Sequence, residues 1–150
     1  MWRELIQSLE PTVQHPIEIR FVNGASEEQL AAIETEMGVA LPKDLRDLLC
    51  ESNGVRDQYG WRIVWEAEEI SQYNREMRTL PQYKNTYMSF ADMLFFADTG
   101  TGDRFAFPII QGKVKATRVY AWTSGDDSRI EVAFSLKSYL ERLLSGKIKL

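Results

Sequence analysis

The chain offers little to metal or thiol chemistry. Its 150 residues contain one histidine, His15, and one cysteine, Cys50. A lone cysteine excludes an internal disulfide and any multi-cysteine zinc site, and a lone histidine leaves a transition metal short of its usual ligands. No apolar run approaches the roughly 18 residues that a membrane span requires. The opening MWRELIQSLEP carries acids and no long apolar stretch, so it does not read as a secretory signal. A cytoplasmic location is the default expectation. No repeat, low-complexity segment or linker divides the chain. One domain over residues 1–150 is expected, because two would each lack a core of useful size.

An excess of positive charge is missing as well. The net charge is −4 and the isoelectric point about 5.1. Lys113, Lys115, Arg118, Lys137, Lys147 and Lys149 are scattered, with no stacking aromatics among them, so direct nucleic-acid binding is not expected. The acids are unevenly placed. Residues 1–75 hold 14 acids and 7 Lys/Arg, whereas residues 76–150 hold 8 and 11. Glu27, Glu28, Glu34, Glu36, Asp44, Asp47 and Glu51 crowd between Ala25 and Ser52, against only Lys43 and Arg46. A face of that balance attracts basic partners. It is also what an ordinary solvated helix surface looks like.

What is present is a globular composition, 44% hydrophobic and 27% charged. Trp2, Leu5, Ile6 and Leu9 recur at helical spacing and predict a short amphipathic helix. Ile17, Ile19 and Phe21 alternate with Glu18 and Arg20, which predicts a strand closed by Asn23-Gly24. Ser26-Glu-Glu-Gln29 is a capping box, opening a helix that Gly38 ends. Pro42 opens a second helix with Leu45, Leu48 and Leu49 inward, ended by Asn53-Gly54. Trp61–Trp65 reads as a strand and Glu66–Arg78 as a helix stopped by Pro81. Leu94–Ala97, Arg104–Ile109, Arg118–Trp122 and Arg129–Ala133 have strand composition and are separated by turn residues. Ser135 caps a closing helix that runs to Ser145, before Gly146. Helices, then strands, then a helix argue an α+β fold: a mostly antiparallel sheet of about five to six strands, with a helical corner at its start and a closing helix.

Several patterns could carry chemistry. Asp98-Thr-Gly follows an apolar run, as in an aspartic protease. That mechanism requires two carboxylates sharing a proton, and Thr101-Gly-Asp-Arg104 follows where small residues belong. A phosphate cradle would require a helix after the glycines, but Arg104–Ile109 is strand-like. The remaining reading is a turn, with Gly100 or Gly102 at positive φ and Asp98 and Asp103 bonding the turn's own amides. His15 and Cys50 could form a nucleophilic pair, although Cys50, after Leu48-Leu49, reads as a small buried apolar residue. Glu66-Glu68-Glu69 and Asp126-Asp127 could be acid pairs, or solvated faces and turns. Calcium at Asp98/Asp103 lacks EF-hand spacing. Trp61 and Trp65 lie on the same side of a strand. They are either core or, if exposed among acids, a binding hot spot.

The joint order of these signals resembles the SUKH superfamily, which includes the Smi–Knr-type proteins. The resemblance rests on Ser26, Glu27, Glu34, Gly38, Leu41, Pro42, Leu45, Asn53 and Gly54 in the helical corner. It continues through Phe95-Phe-Ala-Asp98 with Gly100, Gly102 and Asp103, then Val119–Trp122, then Phe134-Ser-Leu136 with Tyr139 and Leu140. It covers about Ala25 to Ser145. Residues 61–87 stand outside the pattern, and Thr123-Ser-Gly125 displaces Asp126-Asp127 from where the family often carries an acid or histidine. The resemblance implies a non-enzymatic recognition domain without a cofactor. In bacteria this is mostly an immunity protein that neutralises a toxin, often a nuclease or deaminase; in fungi it is a regulator of cell-wall assembly. The expected partner is a basic toxin domain, met by Asp44, Asp47, Glu51, Asp57, Asp98, Asp103, Asp126, Asp127 and Trp61. The rival expectation is a small hydrolase working through the acidic loops, which predicts a deep pocket with a perturbed carboxylate.

Overall fold

A computed structural model describes residues 1–13, 17–114 and 118–150. His15 and Lys115, and with His15 the pairing to Cys50, lie outside the described residues.

Two antiparallel sheets carry the fold. The smaller has the order β1-β2-β3, from Ile19–Phe21, Val55–Asp57 and Arg62–Val64. The larger has the order β4-β5-β7-β8, from Met93–Asp98, Arg104–Ile110, Val119–Thr123 and Ser128–Ala133; β6, Lys113–Val114, pairs with β5. The α+β expectation stands, with the strands divided between two sheets. A bulge in β4 joins them. The register runs Phe95↔Ala106 and then Ala97↔Phe105, so Phe96 faces no partner on β5. Its carbonyl instead accepts the Trp65 N–H at 2.8 Å, just beyond β3.

Every residue of β4 is buried, because both faces are covered. On one face Tyr139 of α6 (Leu136–Leu144) packs against Phe96 and Phe105, and donates its hydroxyl proton to the Ile63 carbonyl at 2.8 Å. On the other, Asn74 of α4 (Ala67–Thr79) donates to the Phe95 carbonyl and accepts from the Phe95 N–H, both at 2.8 Å. A side chain thus supplies hydrogen bonds that a neighbouring strand would otherwise make. Phe95, Phe90 and Trp122 stack edge to face behind it.

The helical corner forms from its local signals. Ser26 Oγ accepts from Gln29 N at 3.2 Å, and Gln29 Oε1 accepts from Ser26 N at 2.8 Å, closing the capping box on α2 (Glu27–Met37). Gly38 ends α2 at φ 70°. Pro42 precedes α3 (Lys43–Glu51), and Leu45, Leu48 and Leu49 face the core. Gly24 has a steric reason: a Cβ there would lie 1.9 Å from the Cys50 carbonyl oxygen. Helix α1 (Trp2–Leu9) rests on α3 through buried Trp2 and Ile6. Cys50 itself is exposed, contrary to the buried role expected, because the inward stripe of α3 is already filled by Leu45, Leu48 and Leu49.

Candidate protein-binding surface

The nine residues expected at an interface fall into two groups. One group is held inside the molecule. Asp98 is 6% exposed. Its Oδ2 accepts from Trp65 Nε1 at 2.7 Å and pairs with Arg62 Nη2 at 3.1 Å, its Oδ1 accepts from Gly100 N at 2.9 Å, and its carbonyl accepts from Trp61 Nε1 at 3.0 Å. Arg62 in turn bonds Glu69 and the Tyr73 hydroxyl, each at 2.8 Å, and Glu69 also holds Arg56 at 3.0 Å. Arg62 is the shared cation. Burial pulls its pKa down, but Glu69, Tyr73 and Asp98 more than offset that and hold it above the ordinary arginine value. Asp57 is also buried, and its Oδ1 accepts from the Tyr59 and Trp61 amides at 2.9 Å.

Asp127 sits at φ 58°, a left-handed conformation that aspartate tolerates. It accepts from Trp122 Nε1 at 2.8 Å, Arg129 Nη2 at 3.1 Å and Met88 N at 3.0 Å. Burial raises its pKa, yet these donors outweigh burial and leave it below the usual carboxylate range. Glu51 caps α1, accepting from Trp2 N at 2.9 Å and Arg3 N at 3.1 Å. Burial acts upward on it too, and the amides and terminal ammonium bring it net below its usual value. Asp103 binds Ser124 N at 3.0 Å, tying the 99–103 turn to the 123–127 turn. It therefore does not bond its own turn's amides through its side chain, as expected; Asp98 alone does so, with Gly100 at φ 83° and Gly102 at φ 102°.

The other group faces outward. Asp44 makes no ion pair among the described residues, and Asp47 pairs with Lys43 on the same face of α3. Asp126 is exposed and accepts from Thr123 Oγ1 at 2.6 Å and Ser128 N at 3.0 Å, which hold it below its usual pKa. Of the tryptophans, Trp2, Trp65 and Trp122 are core and Trp61 is half-buried beside the 99–103 turn.

Much of the acidity of the helical corner is neutralised within the molecule. Arg46 bridges Glu27 at 2.9 Å and Glu34 at 2.6 Å, and Arg75 of α4 pairs with Glu36 at 3.0 Å. Two acids without an ion-pair partner among the described residues lie elsewhere. Glu28 and Glu68 border an open groove of about 480 Å³ between α2 and α4, where Ala32, Ala67 and Ser71 are all small and Arg75, paired with Glu36, also lines the wall. Glu68 accepts only from neutral amides, those of Gln29 and Asn53. Sequence reasoning had placed Glu28 and Glu68 in separate acidic runs; no periodicity shows that α2 and α4 lie side by side.

The acid triplet Glu66-Glu68-Glu69 is likewise dispersed. Glu69 is engaged with Arg56 and Arg62, and Glu68 faces the groove. Glu66 lines a separate hollow of about 270 Å³ with Asp57 and Arg56, where burial, then Glu69 and Glu68, raise its pKa. Asp57, the other carboxylate there, already has Oδ1 engaged by two amides. Among the described residues no three His, Cys, Asp or Glu side chains are placed to hold a metal, and no helix is long and apolar enough to cross a membrane.

A mixed α+β domain of two antiparallel sheets, its central strand clad by helices and its acids divided between internal holders and an outer helical face, is the class defined by this geometry. The family model described as SMI1-KNR4 cell-wall, SUKH_6, matches residues 27–140, and the chain belongs to that family. Comparison with curated proteins gives no match.

Proposed function

We propose that this domain acts by binding a protein, without transforming a substrate, and that its partner is a basic toxin domain such as a nuclease, which it neutralises as an immunity protein. The observation carrying this reading is the α2–α4 groove, bordered by two carboxylates without an ion-pair partner among the described residues, the groove's one arginine, Arg75, being engaged by Glu36. A nuclease must present Lys and Arg to phosphates. Carboxylates waiting on a rigid helix pair can occupy those groups, accelerate encounter and exclude the nucleic acid. The surface proposed is Glu28 and Glu68, extended by Asp44 and Asp47 on α3. Asp126 is a separate outward contact. The internally held Glu51, Asp57, Asp98 and Asp127 act by shaping the fold that presents them. A Smi–Knr-type regulatory role would use the same surface without a toxin, and the family description, SMI1-KNR4 cell-wall, supports that second reading. The hydrolase reading has one raised carboxylate, Glu66, and beside it Asp57, whose Oδ1 two backbone amides already engage.

The test is co-expression with the product of the neighbouring gene, followed by binding kinetics. A stable complex whose association rate falls steeply with salt is expected. Glu28→Lys with Glu68→Lys should slow association about tenfold or more, with only a small fall in melting temperature, because both carboxylates stand in the first turns of their helices. Unaltered kinetics in that variant would remove the groove from the interface, and failure to bind at low salt would remove the immunity role.

A further inference from the structure

The segment after α4, which lies within the residues the family model matches, builds a pocket of its own. Pro81 opens a short helix, α5 (Pro81–Lys84), and the chain then folds back over α4 to reach β4. Beneath it lies a cavity of about 210 Å³, lined by Met77, Arg78, Tyr83, Lys84, Tyr87 and Phe90 among others. The three rings stand with centroids 5.9 to 6.5 Å apart. Trp122 backs two of them, at 5.0 Å from Tyr87 and 5.2 Å from Phe90. The aromatic wall is therefore rigid, since its rings are fixed from behind by a buried indole.

The polar side of this pocket is cationic and incomplete. Arg78 donates through Nη2 to the Met93 carbonyl at 2.9 Å. Its Nε is buried with no acceptor, and no carboxylate lies within ion-pair distance of it among the described residues. The nearby Asp92 makes its ion pair with Arg129 at 3.5 Å instead. Burial consequently lowers the pKa of Arg78, against only a partial pull from Asp92. Lys84 is exposed at the rim and has no ion-pair partner among the described residues. Arg78 is half-buried with its Nε enclosed by protein atoms, and an anion in the pocket would meet a guanidinium that no carboxylate pairs among the described residues. The acidic helical face uses none of these groups; of the pocket's rings, Tyr87 is tied to the 123–127 turn, its hydroxyl donating to the Ser124 carbonyl at 2.9 Å.

We propose that this pocket is a binding site for a small carboxylate bearing an aromatic ring, the ring lying against Tyr83 and Tyr87, with buried Phe90 behind them, and the carboxylate meeting Arg78 and Lys84. The ligand chemistry is shared by free aromatic acids and by a polypeptide ending in an aromatic residue. The cavity is too small for more than about one ring and its carboxylate, and the opposite charge of this site and the proposed toxin-binding face makes them separate surfaces for separate ligands.

The probe is N-acetyl-L-phenylalanine, titrated into the full chain and followed by NMR at the Trp122 indole and at the Tyr87 and Phe90 amides. Saturable shifts with a Kd of about a millimolar are expected, as befits a ligand of this size. N-acetyl-L-phenylalaninamide, which lacks the charge, should bind at least about tenfold more weakly. Arg78→Leu should abolish the shifts, Arg78→Lys should restore part of them, and Lys84→Glu, an exposed change that leaves the fold intact, should weaken binding severalfold. A peptide with a free C-terminal phenylalanine that binds more tightly than the free acid assigns the natural ligand to a chain terminus; a weaker peptide assigns it to a free acid. Equal binding of acid and amide, no saturable shift in the folded protein, or unchanged affinity in Lys84→Glu together with Arg78→Lys overturns the assignment.

Discussion

Carboxylates on the helical corner and carboxylates at the strand turns do opposite jobs in this molecule. Asp44, Asp47 and Glu28 stand on helix surfaces, where water solvates them and at most one lysine is near. Asp57, Asp98 and Asp127 stand at the ends of strands and collect donors: indole N–H groups, amides and guanidinium groups. The first kind contributes little to stability, because a surface ion pair is worth little. The second kind organises stability, because each buried N–H it satisfies would otherwise be stranded. What decides between the two is the number of donors directed at each carboxylate, and the residue type does not reveal that number.

The sharpest way to break this comparison is Asp98→Ala. It strands the buried Trp65 Nε1 without its acceptor and removes one of the two counter-ions of Arg62, which keeps Glu69. A loss of about 3–5 kcal/mol is expected in urea unfolding. A variant as stable as the parent would show that the turn carboxylates are no different from the surface ones. Next in size is Gly24→Ala, which drives a Cβ against the Cys50 carbonyl and should cost about 1–3 kcal/mol by the same measurement.

Glu51→Gln sharpens the comparison at an intermediate site. The carboxylate caps α1, and its neutral replacement should cost about 1 kcal/mol at pH 7. Because the folded pKa of Glu51 lies below its unfolded value, that contribution is present above the unfolded carboxylate pKa, about 4.3, and is lost as pH falls through the folded one. The gap between parent and variant should therefore close in acid. A gap that persists unchanged at pH 2 would contradict the capping role. The smallest effect is Asp47→Asn, which breaks only the exposed contact to Lys43. No measurable shift of the urea midpoint is expected, while association with a basic partner slows.

The local signals of this chain were readable wherever one segment satisfies its own backbone. The capping box at Ser26, the left-handed Gly38, the Ser135 cap and the stripe of α6 all behave as their spacing predicts. The strands β2 and β6 were not readable, with three and two residues. Unlike the equally short β1 and β3, which sit in longer alternating or aromatic runs, these two lie between turn residues and show no alternation of their own, so only pairing with a partner strand defines them. The helix α5 was likewise hidden, since Pro81 reads as the end of α4 and also opens the next turn. The site was legible in kind, as an excess of acid in the first half. It was not legible in place: of the nine residues expected at the interface, Asp57 and Asp98 are buried and Glu51 and Asp127 hold backbone amides.

By itself the sequence determined the class of fold, the family and the sign of the charge on the helical corner, because caps, periodicity and composition act within a few residues of one another. Only the tertiary structure decided which acids are solvated, which are enclosed, and that Glu28 and Glu68 border one groove while Arg78 has no ion-pair partner among the described residues. Those outcomes depend on groups far apart in the chain that burial brings together, and the free energy of a charge depends on what it finally faces.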